Sequence, residues 1–250
     1  MFFPIRISRP ALGAILVAVA TFALAACGGG GSSTTSTAPS TPTTAIYTAG
    51  ASPRGIAIDG SGNVWVANYG NGTPGPASGD SNVTELSSTG ALLGTDTAGA
   101  GPVKIAIDAS GNVWVANQGN GTPGTAGGDS NVTELSSTGA LLGTYVAGSN
   151  PSSIAIDGSG NAWVTNFGNG TPGTASGDSN VTELSSTGAL LGTDTAGAGP
   201  IKIAIDGSGN AWVTNQGNGT PGTASGDSNL TEFMNYGATG VSTPLMKQPK

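Results

Sequence analysis

The sequence predicts an all-β chain: a β-propeller of four 49-residue, four-stranded blades, either closed on itself or left as an open or truncated arc. Three observations carry that expectation. Trp65, Trp114, Trp163 and Trp212 recur every 49 residues inside a segment that is nearly the same each time. A period of about 40–50 residues with several short strands per unit marks a radial stack of small sheets. Glycine supplies 44 of 250 residues, against roughly 7% in ordinary chains. It lies in Ser-, Thr- and Asn-rich stretches between Val- and Ile-rich ones, as in strands joined by tight turns. No window shows the apolar period of an amphipathic helix.

Residues 1–26 are expected to be a signal peptide. Arg6 and Arg9 precede an almost wholly apolar run over residues 11–26. That order is a secretory signal, and 16 residues fall short of the roughly 20 a spanning helix needs. Leu24-Ala25-Ala26-Cys27, followed by four glycines, resembles the lipobox of bacterial lipoproteins. The resemblance implies cleavage before Cys27 and lipidation of its thiol. Gly28 stands where an aspartate would imply retention in the inner membrane, so the resemblance points to an outer-membrane lipoprotein of the bacterial cell envelope. Residues 27–44 then form a Gly/Ser/Thr/Pro linker, and residues 45–250 form the propeller.

The repeats run 51–99, 100–148, 149–197 and 198–246. In the first, strand a is expected over 55–59 and strand b over 64–68, joined by the turn Asp59-Gly60-Ser61-Gly62-Asn63. A long connection over 69–81 leads to strand c over 82–86. A second tight turn, Ser87-Ser88-Thr89-Gly90, leads to strand d over 91–95. One such sheet cannot bury both faces alone, whereas a stack of them can. The tryptophans are therefore expected between blades. A longer period of 98 residues also runs through the chain. It relates Lys104 to Lys202, Gln118 to Gln216, Asp96 to Asp194, and the aromatic pair Tyr69 and Phe167. Residues 45–50 look like the end of a repeat, and the fourth repeat decays after Phe233. The N-terminal segment is thus expected to supply the outer strand of the last blade.

Composition narrows function. The formal charge is −7, and loss of Arg6 and Arg9 with the signal takes it to −9. No basic cluster exists to neutralise phosphates, which argues against nucleic acid as a partner. The chain has no histidine, which removes imidazole bases and the commonest zinc ligand. Cys27 is the only cysteine, so no internal disulfide forms.

The b–c connections are the leading candidate site. Strands b–c and d–a connect on one face of a propeller. Asp80, Asp129, Asp178 and Asp227 would crown that face with Asn71, Asn120, Asn169 and Asn218. Carboxylate and amide oxygens on glycine-rich loops suit Ca²⁺ or sugar hydroxyls. The same residues also serve as Asx turns leading into strand c. Asp59, Asp108, Asp157 and Asp206 read as turn caps. Glu85, Glu134, Glu183 and Glu232 sit inside strand c, where they line a channel, bond a neighbour or act as paired acid and base. Lys104 and Lys202 are ligand contacts on opposite blades or plain surface lysines.

The segment Asp59-Gly60-Ser61-Gly62-Asn63-Val64-Trp65-Val66-Ala67-Asn68 resembles the NHL repeat and the propeller of the virginiamycin B lyase family. The resemblance covers about residues 45–235. It implies a propeller that binds ligands, and in a minority of relatives a lyase or lactonase. That lyase family's catalytic histidine has no counterpart here. The expected function is a surface-tethered, non-enzymatic platform for a protein, glycan or cell-envelope component, held to the membrane by its lipid. A cation-dependent lyase or lactonase using the b–c loop face is the alternative.

Overall fold

The computed structural model describes residues 44–75, 79–125, 129–173, 178–217 and 228–234. The expected signal peptide, Cys27 and nearly all of the linker lie outside them. The described residues form four antiparallel sheets. Blade 1 holds β1 (Pro53–Ile58), β2 (Val64–Asn68), β3 (Asn82–Leu86) and β4 (Leu92–Thr97). Blade 2 holds β5 (Pro102–Ile107), β6 (Val113–Asn117), β7 (Asn131–Leu135) and β8 (Leu141–Val146). Blade 3 holds β9 (Pro151–Ile156), β10 (Ala162–Asn166), β11 (Asn180–Leu184) and β12 (Leu190–Thr195). Blade 4 holds β13 (Pro200–Ile205), β14 (Ala211–Asn215) and β15 (Asn229–Phe233).

Strands b and c fall where the sequence puts them. Strand a begins two residues earlier than expected, at Pro53, because a register shift between Pro53 and Gly55 lets Pro53 pair with Asn68. Strand d shifts the other way, to Leu92–Thr97, because Asn82 pairs with Thr97.

The a–b turn is built by its first residue. Asp59 Oδ1 accepts from the backbone N–H groups of Ser61 at 2.8 Å and Asn63 at 2.9 Å. Gly62 takes φ 83°, a left-handed conformation that costs glycine nothing. Asp59 Oδ2 accepts from Trp65 Nε1 at 3.1 Å, so the turn also aims the indole. Asp108, Asp157 and Asp206 repeat this arrangement with Trp114, Trp163 and Trp212.

The core lies between blades, as expected. Trp65, Ala67 and Val83 of blade 1 pack against Ile105, Val113, Val115 and Leu135 of blade 2. The same faces meet between blades 2 and 3 around Trp114, and between blades 3 and 4 around Trp163. Each blade therefore has a Trp face and an Ile face. A polar ladder runs within each blade: Asn68 Nδ2 donates to Asn82 Oδ1 at 2.8 Å and Thr84 Oγ1 at 2.9 Å.

The innermost strands touch in the order β1, β5, β9, β13, and among the described residues no comparable packing joins β13 back to β1. Among the described residues the propeller is an open arc. Among the described residues blade 4 has three strands, not four. Residues 44–50 form no strand and do not complete it. They lie instead on blade 1, where Gly50 N–H donates to Asn68 Oδ1 at 3.1 Å.

Asp108→Ala removes two turn hydrogen bonds and the partner of a buried indole. Hydrogen bonds to charged acceptors contribute about 1.5–3 kcal/mol each when the donor is otherwise stranded. Urea unfolding of this variant should show a loss of about 2–4 kcal/mol. Asp108→Asn, which keeps one acceptor oxygen, should lose less.

Candidate functional site

The b–c connections and the d–a connections meet at one end of the arc. Tyr69 N–H donates to Ser52 O at 3.0 Å. Ser81 Oγ donates to Tyr69 O at 2.6 Å and accepts from Gly101 N–H of the next blade at 3.1 Å. Ser130 and Ser179 make the same two links in their blades. Each serine thus ties a loop to the neighbouring blade.

Within the loop, Asn71 Oδ1 accepts from Thr73 N–H at 2.7 Å. Asn120 and Asn169 do the same with Thr122 and Thr171. Asn71 Nδ2 reaches Asp80 Oδ1 at 3.4 Å, and the Asp80 carboxylate lies over Gly75 in the space a Cβ would need. Asp129 and Asp178 lie likewise over Gly124 and Gly173. Gly70 takes φ 62° with its α-carbon against the Asp80 backbone, an approach that only glycine permits. Asn218 and Asp227 fall outside the described residues. The structure therefore brings Asn71 and Asp80 together within one loop. Ca²⁺ takes about six to eight oxygens; among the described residues no three His, Cys, Asp or Glu side chains converge as metal ligands.

The positive charges stand at the same end. Arg54, Lys104 and Lys202 are the only Arg and Lys among the described residues. All three lie on innermost strands near the loop-bearing terminus: Arg54 on β1, Lys104 on β5 and Lys202 on β13. Lys104 and Lys202 share one register, opposite Ala116 and Thr214. The matching position in blade 1 is Gly55, and a Cβ there would fall 2.9 Å from the Lys104 α-carbon, so the inner strands approach closely. The Arg54 guanidinium sits 3.8 Å from the Tyr69 ring centroid, a cation–π contact. Tyr69 and Phe167 lie over Gly101 and Gly199, while Gln118 and Gln216 hold the corresponding places in the other two blades. The innermost strands thus carry the described cations at this end, and the loops carry acid and amide side chains. Arg54 is a site residue the reading of single motifs passed over. The signal was available: aligned on the 49-residue period, the three cations fall at two adjacent positions.

The strand-c glutamates do not line a channel. Asn63 Nδ2 donates to Glu85 Oε1 at 3.1 Å, and Asn112 and Asn161 donate likewise to Glu134 and Glu183. On blade 2, Glu134 Oε2 also accepts from Tyr145 Oη at 2.7 Å, and the Tyr145 ring stacks on Trp114 with centroids 5.6 Å apart. Burial, then the hydrogen bond and charge of Glu134, push the Tyr145 hydroxyl up to about 12. On blades 1 and 3 an aspartate replaces that tyrosine. Asp96 is raised by burial, and its Oδ2 is buried without a partner. Glu85 is raised by burial, then by the charges of Asp96 and Asp59. Glu183 is raised by burial, then by Asp157 and Asp194. The turn aspartates go the other way. The Trp212 hydrogen bond, with those of Asn210, lowers Asp206 to about 2. Burial raises Asp59, but the hydrogen bonds of Trp65, Asn63 and Ser61 outweigh it.

Two outcomes follow. Asp96→Tyr should rebuild the Tyr145 arrangement against Trp65 and Glu85, with Gly139 leaving room as Gly188 does. It should raise the melting temperature by several degrees, on the order of 1–2 kcal/mol. The pH profile has two limbs. A carboxylate whose folded value is depressed stabilises above its unfolded value and loses that contribution as pH falls through the folded one. For Asp206 the limb runs from 3.8 down to about 2. For Glu85 and Asp96 the folded values are raised above 4.5 and 3.8, so the penalty appears as pH rises. Melting curves should peak in mild acid and decline as pH falls from 3.8 toward about 2.

The sequence matches no family profile and no curated protein. Solved structures do resemble it. Virginiamycin B lyase from Staphylococcus aureus aligns over 73% of this chain and 55% of its own length, with 14% identity and a TM-score of 0.50. A protein of unknown function from Bacteroides caccae aligns over 74% and 57%, with 17% identity and a TM-score of 0.47. A gluconolactonase from Xanthomonas campestris aligns over 73% and 58%, with 15% identity and a TM-score of 0.48. The chain spans somewhat over half the length of these structures. At such identities the likeness concerns fold alone, and the fold is that of a virginiamycin B lyase-like β-propeller.

Proposed function

We propose that the chain is a non-enzymatic binding platform, tethered to the bacterial cell envelope by a lipid on Cys27. The loop-bearing end of the arc takes an anionic group of a protein, glycan or envelope component. One observation carries this reading. A chain of net charge −7 places Arg54, Lys104 and Lys202, its only described cations, on innermost strands at one end. Lys104 and Lys202 are beside neutral partners in register, Ala116 and Thr214. A cation without a nearby acid keeps its attraction for an incoming anion, and the field is felt within about a Debye length, 8–10 Å. The serine ties of three loops to the next blade pre-order part of that end, which lowers the cost of binding. The fourfold sameness of the turn aspartates and strand-c glutamates suits architecture, since catalysis needs groups in distinct roles.

The test uses an acidic polysaccharide, polygalacturonate, against neutral dextran in calorimetry at low salt. Binding should favour the acidic polymer, weaken as salt rises, and fall at least tenfold in a Lys104→Glu/Lys202→Glu variant whose melting curve is unchanged. Equal affinity for both polymers, or indifference to the charge reversal, would overturn the reading. For the tether, cells fed labelled palmitate should transfer label to the chain, and Cys27→Ala should abolish transfer.

A further inference from the structure

Each interface inside the arc joins the Trp face of one blade to the Ile face of the next. At the two ends of the arc one such face is left over. On blade 1, Ile56 is 61% exposed, whereas its counterparts Ile105 and Ile154 are 3% and 4% exposed. On blade 4, Leu230 is 57% exposed, whereas Val83, Val132 and Val181 are 0%. The uncovered faces are therefore the two halves of an interface that the chain already makes three times.

A candidate for the fourth strand that the described residues of blade 4 lack is also at hand. Residues 46–50 lie against blade 1 in the place of a preceding blade's outer strand. Tyr47 fills the space over Gly90 as Tyr145 of blade 2 fills the space over Gly188 of blade 3. Gly50 abuts Asn68 as Gly148 abuts Asn166. The 98-residue period makes Tyr47 the counterpart of Tyr145, and makes Trp212, Glu232 and Leu230 the counterparts of Trp114, Glu134 and Val132. On blade 2, Tyr145 stacks on Trp114, bonds Glu134 and pairs across the ladder with Val132. Blade 4 holds the partners, and residues 46–50 hold the tyrosine.

We propose that two copies of this chain close into one eight-blade ring. The Trp face of each blade 4 packs on the Ile face of the other copy's blade 1, and residues 46–50 of each copy pair with β15 of the other. Head-to-tail contacts close into a ring when the rotation permits, and propellers hold typically four to eight blades, which two copies reach and three exceed.

The protein should sediment in density-matched detergent as a species of twice the mass of one copy. Leu230→Lys alone and Ile56→Glu alone should each give monomers. An equimolar mixture of the two should restore the pair, because one interface becomes Lys against Glu and the other stays native. Recovery in the mixture shows that each variant still folds. A second variant carries Tyr47→Cys and Leu230→Cys with Cys27→Ala, placing the new cysteines opposite each other at about 4.5–5.5 Å between α-carbons, within disulfide reach. Oxidation should yield covalently joined pairs of chains. A monomer at every concentration tested would overturn the proposal. So would a disulfide formed within a single chain, which would show that the chain's own segment completes its own blade.

Discussion

Everything in the arc depends on where the strand-b indole points. Trp65 is fully buried against the next blade, yet its Nε1–H needs an acceptor, and a stranded buried donor costs on the order of 1–3 kcal/mol. Asp59 supplies it from the turn six residues earlier, while its other oxygen holds the turn. One carboxylate thus fixes the register of the a–b hairpin and the rotamer of the largest side chain in the interface. The glutamate of strand c lies across the ladder from the same tryptophan, and Asn63 bridges the turn to it. Asp59, Asn63, Trp65 and Glu85 satisfy one another there, and the rest of the face is largely apolar.

The blades are not equal, and the inequality has a pattern. Blade 2 completes its outer strand with a tyrosine that stacks, fills space and donates to Glu134. Blades 1 and 3 carry Asp96 and Asp194, which are smaller, charged and raised by burial. A buried carboxylate without a good partner is a local destabilisation. At the opposite end the alternation returns as Tyr69 and Phe167 over glycines, with Gln118 and Gln216 in the other blades. Two interfaces are closed by aromatic rings at the loop end, and the one between them by Tyr145 further out.

Much of this was legible in the sequence, because a repeat states its own boundaries. The 49-residue spacing of tryptophans gave the blades. Strands b and c were readable to the residue, since Val64–Asn68 and Asn82–Leu86 are short segments bracketed by Gly-, Ser- and Asn-rich turn residues. The ends of strands a and d were not, because a register shift at Pro53 and Gly55 has no compositional mark. The partner of the tryptophan was also hidden: Asp59 reads as a turn cap, and the indole bond appears only when the hairpin folds back. The choice between a closed ring and an open arc was left open for a different reason. Residues 45–50 do resemble an outer strand, but likeness to a strand says nothing about which sheet edge the segment reaches. The candidate loops and the two lysines were located, whereas Arg54 was not, because it falls one position off the lysines' place in the 49-residue period.

The sameness of the interfaces has a consequence for the history and the upkeep of the chain. When every blade presents the same two faces, the energy of the stack is close to a sum of unit and neighbour terms. Unequal exchange between such similar coding segments adds or removes whole units without disturbing those that remain, and the 98-residue period marks the pair as the increment that keeps the alternation intact. The same interchangeability is a hazard during synthesis. An emerging Trp face meets several equally good Ile faces, on its own chain and on its neighbours.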